Sequence, residues 1–253
     1  MTEVSLRCHP SVARVKIREL AGKDEQAVES CATLDAIRLI GAVLAETAGD
    51  PMTFAAADRD RILAALYIAT FGRRIESTVH CTRCGNLFDL NFRLDELVRT
   101  LDEQARFSEG GVFDSPSGFR FRLPTAAEEM EAARLGSGSE SAEKWLGERC
   151  VVEGSPDFEA LQAAMEQAAP ALDLDLQARC PECAVDQPVR FDIQSYLLNA
   201  ILQSRPRLWR DVHRIASVYH WSRREILEMS RAERRDLADL IESETVARRR
   251  VAL

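Results

Sequence analysis

Four cysteines in two short clasps, CTRC at 81–84 and CPEC at 180–183, are the residues whose type and spacing point most directly to chemistry. A CxxC turn offers two thiolates from one tight bend, half of the four-ligand tetrahedron that zinc prefers. Cys81, Cys84, Cys180 and Cys183 together complete such a set. A shell filled by four thiolates has no position for a reacting water, so the expected cofactor is a structural zinc ion and not a catalytic one. Such an ion ties together segments far apart in the chain. Zinc-finger-type sites contribute on the order of 10 kcal/mol at neutral pH, enough to offset the slowly growing entropy cost of closing a long loop. Two independent dithiol turns, a disulfide in each clasp, or an iron–sulfur cluster on the same four sulfurs are the alternatives. Gly85 suits the turn after the first clasp, whereas Ala184 in the same place of the second is less permissive.

Other candidates are weaker. Cys8 and His9 have no further ligand at a useful spacing and read as non-ligands. Cys31 and Cys150 fall in helical segments and are expected to pack as small apolar residues. His80 abuts Cys81 but is unnecessary to a four-thiolate site. His213 and His220, seven apart on the side of a helix that carries Trp209, suggest an aromatic cluster in a core or interface. There is no GxxxxGK, no GxGxxG after a strand, no HExxH and no GxSxG elbow. The four histidines form no acid–base set. The expectation is a non-enzyme with no small-molecule substrate.

The elements that must position the clasps are legible on both sides of them. RIESTVHCTRCGNLFDLNFRLDEL (74–97) alternates apolar and polar residues around the first clasp, the pattern of a β-hairpin with the clasp as its turn. LDLDLQARCPECAVDQPVRFDIQSYL (172–197) repeats it: a phenylalanine follows the last cysteine by eight positions in each copy, Phe92 and Phe191, and a helix start follows. Upstream, VARVKIREL (12–20) reads as a strand. GKDEQAVES then opens a helix whose apolar stripe continues through Leu34, Ile37, Ile40 and Val43 to a stop at Gly49-Asp50-Pro51. Another helix follows Asp58 and ends near Gly72. Between the clasps, GVFDSPSGFRFRLP (111–124) reads as a hairpin, Thr125 to Glu128 as a capping box, GSGSES (136–141) as a flexible break, and EKWLGERCV and 155–170 as helices. The remainder is helical, with a boundary expected at Arg205-Pro206 and two successive capping boxes, Ser222 to Glu225 and Ser230 to Glu233. The expected class is α+β: two zinc-clasped β-hairpins flanked by N-terminal and C-terminal helical regions. The divisions are 1–73 (mainly helical), 74–197 (hairpins with a helical insertion) and 198–253 (Arg-rich, helical).

Composition bounds the partners. At 253 residues, 46% hydrophobic and 29% charged, the chain can bury a sizeable core. The start lacks the apolar run of a signal peptide, and IRLIGAVLA (37–45) is far too short to span a bilayer, so a cytoplasmic protein without a membrane partner is expected. In that compartment thiols stay reduced, which favours metal over disulfide. The net charge is −8, but residues 205–253 hold twelve Arg against eight Asp and Glu, giving +4 there and −12 elsewhere. The overall acidity argues against nucleic acid as partner. A zinc-ribbon nucleic-acid-binding adaptor, using the Arg-rich end, is the rival reading.

The stretch RLWRDVHRIASVYHWSRREILEMSRAERRDLADLIE (207–242) resembles the C-terminal region of baseplate proteins from contractile-tailed bacteriophages and related phage-tail-like injection systems. More specifically it is similar to the T-even-type bacteriophage baseplate protein family, which includes a hub component and a hub-assembly chaperone. The likeness is carried by Tyr219-His220-Trp221, by REILEM (224–229) and by Arg234-Arg235. ELAGKDEQAV (19–28), RDRILAALYIATFG (59–72), FRLPT (121–125) and the paired clasps extend it as short motifs over most of the chain. The resemblance implies a structural or chaperone-like assembly role in a contractile tail baseplate, in the cytoplasm or within an assembled particle. Other baseplate or tail proteins would be the partners, and there are no catalytic residues to transfer. Trp209, Tyr219, Trp221, Arg234 and Arg235 are the expected partner contacts, aromatic and Arg side chains being enriched at interface hot spots.

Overall fold

A computed structural model describes residues 1–45, 49–106, 108, 110–136 and 140–251. Two short strands, β1 (Thr2–Ser5) and β2 (Arg14–Ile17), pair antiparallel. Alternation turns Val4, Val15 and Ile17 inward. Only the middle of the expected 12–20 strand is extended, and β1, with a single valine to bury, gave no sequence signal. The expected first helix is two: α1 (Gly22–Ala27) and α2 (Thr33–Val43). Val28 is extended at the end of α1, and the Arg205 guanidinium donates to the Val28 carbonyl there. Cys31 therefore lies between helices, not within one. After a short 3-10 turn comes α3 (Ala56–Phe71), closed by Gly72 at φ 100°.

The first hairpin joins β3 (Arg74–His80) to β4 (Leu87–Arg93) and runs directly into α4 (Leu94–Gln104). An inserted unit follows: β5 (Val112–Asp114), β6 (Arg120–Arg122), α5 (Ala126–Arg134), α6 (Glu140–Cys150), β7 (Val151–Glu153) and α7 (Phe158–Ala168). Thr125 and Glu128 cap α5 reciprocally, as the motif requires. Strand β7, only three residues long, joins the β5–β6 hairpin as a third strand that the sequence did not announce. Within the expected break at 136–141, residues 137–139 lie outside the described set. The second hairpin, β8 (Asp173–Arg179) with β9 (Asp186–Asp192), feeds α8 (Ile193–Tyr219), then α9 (Arg223–Glu228) and α10 (Arg231–Val251). The class is α+β, with small antiparallel sheets and helices toward both ends.

One core crosses all three expected divisions. Ile40, Ile62, Leu66, Ile75, Leu172, Phe191, Leu197 and Ile201 belong to the same buried cluster. The base of each hairpin is thus anchored before any metal is considered, and Phe92 meets Phe191 edge-on at 5.1 Å between ring centroids. The expected boundary at Arg205-Pro206 is absent: α8 runs through Pro206, and its 27 residues span about 40 Å. Its first half buries Leu197, Leu198 and Ile201 in the main core, and its second half buries Leu208, Val212 and Ile215 against α9 and α10. Burial on both sides of Pro206 outweighs the local cost of the missing N–H. The C-terminal helices are further bound to α1, where Glu25 pairs with both Arg231 and Arg234 deep inside the chain.

Candidate metal centre

Each clasp is the tip of a hairpin. In the first, the Cys81 N–H donates to the Asn86 carbonyl at 2.9 Å and the Gly85 N–H to the Cys81 carbonyl at 3.0 Å. In the second, Cys180 to Val185 and Ala184 to Cys180 repeat those bonds at 2.9 and 3.0 Å. The turn demands a left-handed residue after the second cysteine. Gly85 supplies it at φ 74°, and Ala184 is held there at φ 56°, a strained position for a residue with a Cβ.

The two tips meet. All four sulfurs lie within 4.8 Å of one another, and the nearest pairs cross between hairpins: Cys81 Sγ to Cys183 Sγ 3.5 Å and Cys84 Sγ to Cys180 Sγ 3.8 Å. A zinc–sulfur bond of about 2.3 Å gives a tetrahedron with edges of roughly 3.8 Å, so the set fits one ion with little movement. A disulfide needs sulfurs about 2.05 Å apart, and all seven cysteines are free thiols. Four soft sulfur donors suit a thiophilic ion, zinc among them. Cys81 and Cys180 are buried, Cys183 is half-buried and Cys84 is exposed, so the site sits just under the surface at the hairpin tips. Phe88 and Ala178 wall its inner side.

Within the first clasp the two thiols are pushed in opposite directions. The Cys84 N–H, pointing at the Cys81 sulfur, is the main reason that Cys81 is held down to about 6, helped by the Arg83 N–H at 3.4 Å. At Cys84 the Asn86 N–H works in the same direction, but partial desolvation by the clustered tips and hydrogen bonds with the neighbouring thiols push it up to about 12.

The remaining candidates separate cleanly. Cys8 is buried, its N–H bound to Asp58 at 3.0 Å, and burial pushes its thiol up to about 12. The His9 ring is engaged by the Ser11 and Val12 N–H groups and by Thr53. Cys150 is buried as a small apolar residue, and half-buried Cys31 meets Asn199 at 3.2 Å. His80 is exposed, outside the sulfur cluster. His213 stays on α8, but His220 adopts a left-handed cap at φ 56° and leaves that helix face. Trp209 is half-buried against the C-terminal cluster, with the Arg223 guanidinium 4.8 Å above its ring. Tyr219 and Trp221 stack at 5.0 Å, and Trp221 is 40% exposed. Arg234, expected at a partner surface, is 1% exposed and spent on Glu25, so it is an internal ion-pair residue instead. Arg235 is half-buried beside it.

One residue of the centre was missed. Gln187, on β9, reaches the opposite clasp: its Oε1 accepts the Thr82 N–H at 2.8 Å, and its Nε2 donates to the His80 carbonyl at 3.0 Å. Glutamine at a strand position looks like a solvated residue, and only the difference between Thr82 and Pro181 in the two clasps hinted at it.

Among the described residues, no helix is long and apolar enough to cross a membrane. Comparison of the chain with protein-family models, with curated proteins and with solved structures finds no match. The centre must therefore be read from its own atoms: four convergent thiol groups at the junction of two hairpins can hold a metal ion.

Proposed function

We propose that the chain is a non-enzymatic structural or assembly protein of a contractile tail baseplate, and that a structural zinc ion on Cys81, Cys84, Cys180 and Cys183 fixes its two hairpin tips. The observation that carries the metal reading is the convergence of four sulfurs from distant clasps. Four protein thiolates leave a tetrahedral ion no position for water or substrate, so its part is to fix shape. The baseplate reading rests on the likeness of residues 207–242 and the shorter upstream motifs to that family. An exposed surface suits it. Trp221, stacked on Tyr219, stands beside Val218 and the exposed Arg223 and Arg224, the mixture of aromatic and guanidinium groups found at interface hot spots. Two hairpin arginines are instead neutralised locally, Arg190 by Asp173 and Arg93 by Asp95, which counts against a phosphate-binding ribbon.

The test has two arms on the full chain. Elemental analysis of purified protein should give one zinc per chain, lost in Cys180→Ser. Trp221→Asp should keep the metal and the thermal transition yet fail to co-purify with tail proteins encoded beside it. Unimpaired co-purification, or salt-dependent binding to random oligonucleotides in its place, would overturn the assembly reading. Cutting the chain after Pro206 is not a clean alternative, because it would strip Glu25 of both buried partners.

A further inference from the structure

The two hairpins are near copies, and two of the differences between them go together. The first clasp has Thr82 where the second has Pro181, and four residues after the last cysteine the first hairpin has Phe88 where the second has Gln187. Gln187 is only 4% exposed. Its Oε1 accepts both the Thr82 N–H and the Thr82 hydroxyl, at 2.8 and 3.0 Å, while its Nε2 donates to the His80 carbonyl at 3.0 Å. One side chain from the second hairpin thereby holds the backbone on both sides of Cys81. Pro181 has no N–H to offer such a group. The corresponding residue of the first hairpin is apolar Phe88, buried in one cluster with Ala178 and Cys180. A glutamine at 88 would be buried without its partner, and a phenylalanine at 187 would orphan the Thr82 N–H and the His80 carbonyl.

We infer that Gln187 is a positioning residue of the metal centre. It sets the first clasp from the second hairpin whether or not an ion is present, and the Thr82–Gln187 pair, whose places in the other half are taken by Pro181 and apolar Phe88, keys the first clasp to the opposite hairpin. The effect on metal affinity rests on the zinc reading above, but the hydrogen bonds do not. Groups that orient metal ligands from the outer shell are typically worth about 10- to 100-fold in affinity.

Zinc affinity of the full chain, measured by competition with a chromophoric chelator, should fall about 10- to 100-fold in Gln187→Leu. Thr82→Pro alone should also weaken binding, whereas Thr82→Pro combined with Gln187→Phe, which copies the second pair, should recover most of the loss. The sulfur-to-cobalt charge-transfer band of the cobalt-loaded protein should be native-like in that double variant and altered in Gln187→Leu. In the metal-free wild type the Thr82 amide should exchange slowly. Wild-type affinity in Gln187→Leu, a double variant no better than the worse single one, or open-loop exchange at Thr82 would each overturn the inference. A wild type that takes up no zinc would instead overturn the metal reading, and the Thr82 exchange rate would still decide the Gln187 contact.

Discussion

Stripping the metal should loosen the hairpin tips without unfolding the protein. Cys84 and Cys180 are 96 positions apart, and closing a loop of that size costs about 4 kcal/mol of chain entropy. In a small zinc finger the ion itself must meet such a cost, and the apo peptide is unfolded. Here the closure is made lower down. Ile75 and Phe191 at the hairpin bases, with Leu172 beside them, are buried in one core with α3 and α8. At roughly 1.5–3 kcal/mol for each buried side chain, those three contribute about 5–9 kcal/mol. Tyr196 adds a polar tie, its hydroxyl donating to the Glu76 carbonyl at 2.7 Å and accepting the Glu76 N–H at 3.3 Å. The base contacts outweigh the closure cost, so an ion would act on an already docked pair. Calorimetry of chelated protein should then show a cooperative transition. Zinc at 100 times its dissociation constant adds about 2.7 kcal/mol, which for a chain of this size raises the midpoint by roughly 5–11 °C. Hydrogen exchange should quicken on chelation at the outer turns, near Gly85 and Ala184, and not at Thr82 or in α3. A chelated protein with no cooperative transition would refute the argument, as would a midpoint indifferent to zinc.

Three further outcomes follow from groups away from the sulfurs. Glu25→Ala leaves Arg231 and Arg234 buried without their carboxylate and should cost about 3–5 kcal/mol; a midpoint lowered by less than about 2 °C would contradict it. Burial pushes Asp60 up to about 7, against the opposing Leu172 N–H that it accepts. With the folded value above the unfolded one, the stabilisation it brings is complete below about pH 4 and is lost as pH rises toward 7. Asp60→Asn should therefore flatten the wild-type decline in stability between those limits, and denaturation curves of both proteins across that range provide the check. Pro206→Ala restores an N–H in the exposed interior of α8 and should stabilise by up to about 3 kcal/mol; a lowered denaturation midpoint would mean that Pro206 serves the native path of the helix.

How much could be read beforehand follows from the range of each signal. The hairpins were legible because alternation and the repeated eight-residue step from cysteine to phenylalanine are local patterns, and the capping boxes at Thr125, Ser222 and Ser230 are local as well. Pro206 misled because its cost is local while its compensation is tertiary: Ile201 is buried on one side of it and Leu208 on the other, in different clusters. The break after α1 was hidden for a similar reason, since Arg205, far along the chain, donates to the carbonyl of Val28. Arg234 looked like a surface arginine because its sequence neighbours are charged, and its partner Glu25 is 209 positions away. Four cysteines announced the centre, but Gln187 did not, because its meaning depends on which clasp it faces.

The division between base and tip bears on what the metal is for. If core contacts alone dock the hairpins, an ion adds little to the choice of fold and much to the precision of the outermost turns, where Cys84 is exposed and Leu87 stands 58% exposed. Ala184 held at positive φ is a local strain of the kind that persists only when the surroundings over-determine it. The sulfur cluster and the Thr82 to Gln187 clamp are the surroundings available there. A tip rigid enough to tolerate that strain presents a defined surface around Cys84 and Leu87.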